Sequence, residues 1–317
     1  MTASPQSTRR TFLQGTAAAT AMTLVTDPLN AKKKNEGNWI DAHSHIWTRD
    51  LKTFPLAKGQ KLKDLDPPSF NAKELFAVAR PEGVRKVVLI QHSIYHGFDN
   101  TYLVDAARRY PKEFRVVGMV DDHQNHPDVD MKKLHKQRVS GFRITPFVRK
   151  EEQQKTWLET PGMSVMWKHA AKSRQAMCCL IDAKDLPQVY QTCKKFPDTK
   201  CVIDHFARIG VDGKMRDSQL KDLCKLAEFK HTYVKISAYY ALGKKKAPYL
   251  DLIPMIKRLI DAFGVERCMW ASDSPYQVVK GHTYAASIAL IRDRMKGLSK
   301  GDREWLLRKT AEKVYYY

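Results

Sequence analysis

The sequence predicts a single-domain (β/α)₈ barrel, and three observations carry that prediction. Eight short apolar, β-branched runs alternate with amphipathic stretches of helix length. The runs are almost continuously apolar, which is typical of parallel strands buried on both faces. Run after run ends in a polar or ionisable residue, as expected if the carboxyl ends of all strands converge on one face. An open doubly wound sheet is the alternative, because eight units alone do not prove closure.

The predicted elements follow one another without a linker. The strands are 39–45, 86–92, 115–121, 141–145, 176–182, 200–205, 232–237 and 267–273. The helices are 72–79, 100–110, 128–138, 164–173, 186–196, 218–229, 250–263, 284–294 and 302–314. An apolar content of 43% can fill a core of this size, and no Pro/Gly-rich or low-complexity segment separates the elements. We therefore predict one domain over residues 32–317.

Residues 1–31 are predicted to be a twin-arginine export signal. Arg9 and Arg10 precede Phe-Leu and then a small, apolar stretch over residues 15–25, which is too short for a transmembrane helix. The alternative is a disordered basic tail. Residues 29–31 only loosely resemble a cleavage site, so both a cleaved leader and an uncleaved anchor stay open. The expected partner is the twin-arginine export machinery, and the expected location is periplasmic or membrane-anchored.

Charge and cysteine content narrow the function classes. The formal net charge is +21, and +20 without residues 1–31. The Lys and Arg residues are spread along the chain, so the sequence predicts no nucleic-acid partner. A positive field does favour an anionic small-molecule substrate. The six cysteines show no Cys-x-x-Cys spacing, and several lie in apolar runs, which predicts core residues rather than a zinc or redox motif.

Two histidines at the end of the first strand are the strongest chemical signal. His43 and His45 are two residues apart, so on an extended strand both side chains point to the same side. Imidazole nitrogens suit zinc and related ions, and further ligands would come from other strand ends. An isolated His-x-His pair is more often packed than ligating. Here His205 and Asp273 end two other runs, which favours a joint site.

Several motifs resemble the amidohydrolase superfamily, in particular the amidohydrolase-2 group with lactonases of the 2-pyrone-4,6-dicarboxylate and sugar-lactone type. The similarity runs from about Trp39 to the carboxyl terminus. Its motifs are Ile40-Asp41-Ala42-His43-Ser44-His45-Ile46-Trp47, Val88-Leu89-Ile90-Gln91 followed by Asp99-Asn100, Gly141-Phe142-Arg143, Ile203-Asp204-His205-Phe206, Val234-Lys235-Ile236-Ser237 and Trp270-Ala271-Ser272-Asp273-Ser274-Pro275.

The resemblance implies a catalytic role for Asp273 as general base, with His205 beside it, and metal ligation by His43, His45, His205 and Asp273. The predicted fifth strand ends in Leu-Ile-Asp, where metal-dependent relatives carry a further ligand. A dinuclear site is therefore not expected. One divalent ion, zinc with manganese as the alternative, and a metal-free arrangement in which the histidines polarise the carbonyl both stay open.

Substrate recognition is assigned to four further residues. Arg143 could form a forked pair with a substrate carboxylate, and Gln91, Tyr95 and Ser237 are hydrogen-bonding candidates, although each could instead fix a loop. The leading hypothesis is hydrolysis of a small, anionic or sugar-derived lactone. A metal-dependent nonoxidative decarboxylase of an aromatic or unsaturated acid is the alternative. A non-catalytic exported binding barrel is the third hypothesis.

Overall fold

The computed structural model describes residues 37–317, and its eight strands form one sheet in which neighbours follow chain order. All seven neighbouring pairs are parallel. The strands are β1 Trp39–Ser44, β2 Val84–Ile90, β3 Phe114–Gly118, β4 Val139–Ile144, β5 Ala176–Cys179, β6 Cys201–Ile203, β7 Thr232–Ile236 and β8 Cys268–Trp270. The predicted fold class is confirmed. The predicted leader over residues 1–31 lies outside the described residues.

The first and last strands close the barrel next to the predicted site. The backbone N–H of Asp273 donates to the carbonyl oxygen of His43 at 2.8 Å, and the N–H of His45 donates to the carbonyl oxygen of Ser274 at 2.7 Å. Ser44 and Ser274 form a parallel bridge. These bonds join the end of β1 to the chain just beyond β8, so an open doubly wound sheet is excluded.

Eleven α-helices lie in the described part of the chain. They are α1 Ala72–Ala79, α2 Ser93–His96, α3 Thr101–Arg109, α4 Pro127–His135, α5 Pro161–Ser173, α6 Leu186–Lys195, α7 Asp217–Lys225, α8 Ile253–Phe263, α9 Tyr284–Ala289, α10 Lys300–Glu304 and α11 Thr310–Tyr315. Local sequence sets their ends: the Asn71 side chain accepts the N–H groups of Lys73 and Glu74, and Glu74 reaches back to the Asn71 N–H. No helix within residues 37–317 is long and apolar enough to cross a membrane.

Two apolar layers hold the barrel together. One lies between the strands and the surrounding helices. The other fills the barrel interior with side chains from the strands, and α11 closes its lower end with Ala311, Val314 and Tyr315. All six cysteines are free, and five are buried, as predicted for core residues.

A β-bulge in β1 prepares the site. Asp41 pairs with Val87 and Ser44 with Leu89, so β1 advances three residues where β2 advances two. Ala42 lies in the interior core, and the extra residue lets His43, directly after it, also point inward. The Asp41 carboxylate lies on the opposite side of the strand and accepts the N–H of His43 at 3.1 Å. On a strand with strict alternation, the side chains of Ala42 and His43 would point to opposite faces of the sheet.

Candidate active site

A cavity of about 370 Å³ opens at the carboxyl end of the barrel. His45, His205, Asp273 and Arg143 line it, and His43 lies fully buried beside them. This is the face on which barrel enzymes keep their chemistry. A larger cavity, of about 690 Å³, lies outside the barrel between α3 and α4 and contains none of these residues. The residue types that line the smaller cavity, and not its volume, therefore identify the candidate site.

The four side chains predicted as metal ligands meet in one place. His43 Nε2 lies 3.3 Å from His45 Nε2. Asp273 Oδ1 lies 3.5 Å from the His43 nitrogen and 3.4 Å from the His45 nitrogen. His205 faces the other carboxylate oxygen, with its Nε2 3.8 Å from Asp273 Oδ2. Three donors thus face one point, and His205 lies beside them.

Three donor atoms have the spacing of ligands around one zinc-sized ion, and the Arg143 guanidinium, 2.8 Å from His43 Nε2, has to move for that nitrogen to bind it. His45 Nδ1 lies 2.8 Å from the carbonyl oxygen of Ile90, which can only accept, so Nδ1 carries the proton and Nε2 presents its lone pair to the site. A tetrahedral ion with bonds of about 2.0–2.1 Å separates its ligands by about 3.3–3.4 Å. The separations among His43, His45 and Asp273 match that spacing. The predicted four-residue set contains a compact three-residue group, which is a candidate metal site.

A second charged layer lies directly beneath the histidines. Lys235 Nζ lies 3.0 Å from Asp204 Oδ1 and 3.2 Å from His43 Nδ1. Arg143 Nη2 lies 3.4 Å from Asp204 Oδ2 and 2.8 Å from His43 Nε2. Lys235 and Asp204 are fully buried. Two cations therefore balance the two carboxylates of Asp204 and Asp273, and His43 is fixed between the cations.

Burial and neighbouring charges set the protonation of the site. Burial lowers the pKa of His43, His45 and His205, so these imidazoles are neutral at neutral pH. Burial acts to raise the pKa of Asp204, but the neighbouring lysine, His43 and arginine outweigh it and hold that pKa well below the usual range. Burial likewise acts against ionisation of Asp273, but the three histidines, His205 first, keep its pKa well below the usual range. Both carboxylates are therefore ionised.

Left-handed backbone turns aim the side chains that follow β6, β7 and β8. Residues 205–208 all have φ between 51° and 56°, and Ala238 and Asp273 have φ of 59° and 61°. Each such non-glycine residue costs about 1–2 kcal/mol. Strain of this kind concentrates at functional sites, where the surrounding structure holds it in place. Here it brings His205, Arg208 and Asp273 to one cavity.

Two tyrosines complete the cavity wall. The hydroxyl of Tyr240 donates to Asp273 Oδ2 at 2.7 Å, and the hydroxyl of Tyr276 lies 2.6 Å from His92 Nε2. Burial raises the pKa of both tyrosines, so both hydroxyls keep their protons. Tyr240 thus hydrogen-bonds to Oδ2 of Asp273 and leaves Oδ1 to face His43 and His45.

The predicted substrate-binding residues separate into two groups. Arg143 lines the cavity, and its Nε has no hydrogen-bond partner among residues 37–317. Ser237 lies behind His205 and contacts its Nδ1 through Oγ at 2.7 Å, so it orients that ring. Gln91 donates to two carbonyl oxygens of the loop after β2, at 2.7 and 3.1 Å. Tyr95 accepts the N–H of Asp66 at 3.0 Å.

Gln91 and Tyr95 do not line the cavity, and a direct substrate contact by either would require these hydrogen bonds to break. The Tyr95 ring stacks on His92 with centroids 4.2 Å apart. Their observed contacts hold the loop after β2 and the His92 ring at the cavity wall. Loop fixing is the alternative role that the sequence left open for both.

Four residues of the site were missing from the sequence prediction. Asp204 and Lys235 lie inside runs that were interpreted as strands, although a charge within a buried run was a usable signal. Tyr240 and Tyr276 lie in short 3₁₀ turns after β7 and β8, which are too short for any periodicity to mark an inward direction. Only the folded structure shows that these two tyrosines belong to the site.

Comparison with known proteins identifies the family. The family model described as Amidohydrolase matches residues 40–316. The chain belongs to the amidohydrolase family. This membership confirms the predicted resemblance and, with it, an enzyme of the hydrolase class.

Individual relatives of this amidohydrolase are distant. L-fucono-1,5-lactonase of Burkholderia ambifaria is 26% identical over 250 residues, which cover 77% of this chain and 82% of the relative. A 4-sulfomuconolactone hydrolase of Rhizobium radiobacter is 23% identical over 250 residues, covering 76% of each chain. The crystal structure of a probable 2-pyrone-4,6-dicarboxylic acid hydrolase from Acinetobacter baumannii, with citric acid bound, has a TM-score of 0.74 at 18% identity. It covers 88% of this chain and 100% of that chain.

Proposed function

We propose that this amidohydrolase hydrolyses a small anionic or sugar-derived lactone, with water activated at Asp273. The observation that carries the proposal is the ionised Asp273 at the cavity floor, facing two neutral imidazoles through Oδ1 and held by Tyr240 through Oδ2. The names of the two lactone-hydrolysing relatives support a cyclic ester as substrate.

The chain's own residues account for the proton movements of such a reaction. Water adds its oxygen to the lactone carbonyl carbon while Asp273 takes one of its protons. When the ring C–O bond breaks, Asp273 returns that proton to the departing alkoxide oxygen. Arg143 and the Nε2 of His205 border the same cavity, where donors stabilise the oxyanion of the tetrahedral intermediate. The product carboxylic acid ionises and releases a proton, which an indicator dye detects.

We further propose that one zinc ion, with manganese as the alternative, is held by His43, His45 and Asp273, with His205 adjacent. Two nitrogens and one oxygen at tetrahedral spacing support this choice. When bound, such an ion would polarise the carbonyl and acidify the attacking water. Elemental analysis tests it: about one equivalent in the wild type and a loss in His45→Ala are expected.

A metal-free arrangement is the second candidate, and the Arg143 guanidinium 2.8 Å from His43 Nε2 favours it. In that arrangement the buried site is already electrically balanced, because Arg143 and Lys235 match Asp204 and Asp273. Hydrolysis that survives exhaustive chelation, in protein shown to hold no zinc or manganese, would establish this second arrangement.

Two guanidinium groups at the cavity wall favour an anionic substrate, because they can offer forked hydrogen bonds to a carboxylate. Arg143 and Arg208 both line it, whereas Asp273 is its only carboxylate within the described residues. Arg208 lies at the mouth, 3.1 Å from Asp182. We expect faster turnover of carboxylated lactones and sugar-acid lactones than of neutral alkyl lactones. Arg143→Lys keeps the charge but loses the fork, so KM should rise mainly for the carboxylated substrates.

The decarboxylase hypothesis is less supported. The chain after β5 contributes the apolar Leu180 to the cavity and no further ligand. The same purified protein can be assayed for carbon dioxide release from aromatic acids. Release of carbon dioxide without any lactone hydrolysis would refute the proposed reaction.

Export through the twin-arginine pathway is a separate proposal that rests on residues 1–31 alone. Replacing Arg9 and Arg10 together by Lys keeps the charge and removes the paired arginines. We expect this variant to stay in the cytoplasm of a host with a functional twin-arginine system, whereas the wild type leaves it. Equal distribution of both proteins in cell fractions would refute the proposal.

A further inference from the structure

The amino-terminal face of the barrel, opposite the cavity, gathers cations that are scattered along the sequence. Four successive strands have a basic residue within two positions of their first residue: Arg115 is the second residue of β3, Arg138 and Lys200 directly precede β4 and β6, and Arg174 lies two residues before β5. Because parallel strands all start at one end of a barrel, these side chains share one face. Lys136 and Lys313 join them there, and we call these six residues the amino-face cluster.

The last two tyrosines of the chain connect the amino-face cluster. Arg174 and Lys200 lie over the Tyr317 ring, 4.6 and 4.2 Å from its centroid, and Arg115 lies 4.9 Å from the centroid of Tyr316. A cavity of about 290 Å³ is lined by Arg115, His135, Lys136, Arg138 and Tyr317, among others. The cluster is therefore one continuous patch.

No member of the amino-face cluster forms a salt bridge to a carboxylate within residues 37–317. Arg115 donates to the carbonyl oxygens of Pro111 and Phe114, and Lys200 to that of Val314. Burial, followed by the charges of Arg174 and Lys313, lowers the pKa of Lys200 to about 8. These six cations thus repel one another and have no carboxylate partner among residues 37–317, whereas Lys86, over the same Tyr316 ring, pairs with Glu312.

We infer that the amino-face cluster docks on an anionic lipid surface, so that the catalytic cavity faces away from the membrane. β1 begins on this same face. In the sequence, Lys32, Lys33 and Lys34 precede Trp39 by five to seven residues, and an apolar stretch over residues 15–25 precedes them. Polybasic segments beside an apolar anchor are the sequence feature that attracts acidic headgroups.

One aromatic side chain at the same face also suits a bilayer interface. Tyr317 is 41% exposed. Tyrosine and tryptophan are enriched where a protein meets the headgroup layer, because each combines an apolar ring with a polar tip. Nucleic acid is a different partner class, and the apolar stretch over residues 15–25 of the sequence favours lipid over it.

Vesicle sedimentation tests the inference with the full-length protein. The two surfaces are pure phosphatidylcholine and equal parts of phosphatidylcholine and phosphatidylglycerol. The test variant is Lys136→Glu/Arg138→Glu/Arg174→Glu, in which every altered residue is exposed. The matched control is Lys244→Glu/Lys245→Glu/Lys246→Glu, which makes the same charge change in the exposed loop after β7, on the cavity face.

The wild type should bind the vesicles that contain phosphatidylglycerol at least about 100-fold more tightly than those of pure phosphatidylcholine. Each basic residue near the membrane surface contributes about 1 kcal/mol to binding. The loss of three basic residues in the test variant should therefore weaken its binding to the vesicles that contain phosphatidylglycerol by about 100-fold. The control should change by less than about threefold. Equal weakening in both variants would overturn the inference, because net charge alone would then explain binding. Tighter binding to duplex DNA than to the acidic vesicles, or dimerisation lost only in the test variant, would also overturn it.

Discussion

Replacing the buried lysine beneath the histidines should destabilise the whole domain. Lys235→Met removes the ammonium that lies 3.0 Å from Asp204 and leaves a fully buried carboxylate. Breaking a buried pair by removing one partner costs about 3–5 kcal/mol. Asp204 still has Arg143 at 3.4 Å, so we expect the lower end, about 3 kcal/mol. For a domain of this size that lowers Tm by about 6–12 °C.

Urea unfolding followed by circular dichroism measures this free energy, and a double-mutant cycle isolates the pair. Asp204→Asn alone leaves Lys235 as the uncompensated charge and should also destabilise. The variant Lys235→Met/Asp204→Asn should lose about 2 kcal/mol less than the sum of the single losses, because neither charge is then left alone. A loss below about 1 kcal/mol in Lys235→Met, or a strictly additive double variant, would refute the reasoning.

Two further predictions concern the site and the opposite face. Tyr240→Phe removes the hydroxyl that donates to Asp273. We expect a fall of about tenfold in kcat and a shift of the acidic limb of the kcat/KM profile to higher pH, because a hydrogen bond to the ionised form lowers a carboxyl pKa; an unmoved limb would contradict this role. The pKa of Lys200 falls from 10.5 to about 8 on folding. The unfolded chain therefore binds that proton more tightly, and stability should be lost as the pH falls from about 10.5 to 8, by well under about 1.4 kcal/mol per pH unit because solvent screens the partly exposed ammonium. Lys200→Met should remove this slope, and identical slopes in both proteins would rule it out.

The barrel could be predicted from the sequence because parallel strands buried on both faces are nearly continuous apolar runs. Strand ends were less well predicted. The run over residues 267–273 extends beyond β8, which ends at Trp270, because its last residues belong to the turn that brings Asp273 to φ of 61°. The sequence does not reveal such a turn, because the residue with positive φ is an aspartate and not the glycine that usually marks this conformation.

The candidate site was predicted where chemistry and strand ends coincide. His43, His45, His205 and Asp273 follow or end strands, so a barrel had to bring them to one face. The structure places all four together, and their individual roles stay predictions. The reason that His43 points inward, a bulge in β1, could not be predicted, because bulges depend on pairing with the neighbouring strand.

Long-range charge arrangement was beyond the sequence. The basic residues looked dispersed along the chain, whereas the barrel collects the residues before successive strands on one face. Lys235 was interpreted as part of an apolar strand. Its partner Asp204 lies about thirty residues earlier, directly after the neighbouring strand β6, and only the pairing of β6 with β7 brings the two side chains together. Pairing across strands is thus the information that the linear pattern lacks.

The most direct test of the proposed chemistry is the kcat/KM of Asp273→Asn on the best lactone substrate, measured beside the wild type by proton release. Asparagine keeps the shape and cannot accept the proton from water. We expect kcat/KM to fall by about 10²–10⁴-fold, with an unchanged circular dichroism spectrum. Activity within about tenfold of the wild type would contradict the assignment of Asp273 as the general base.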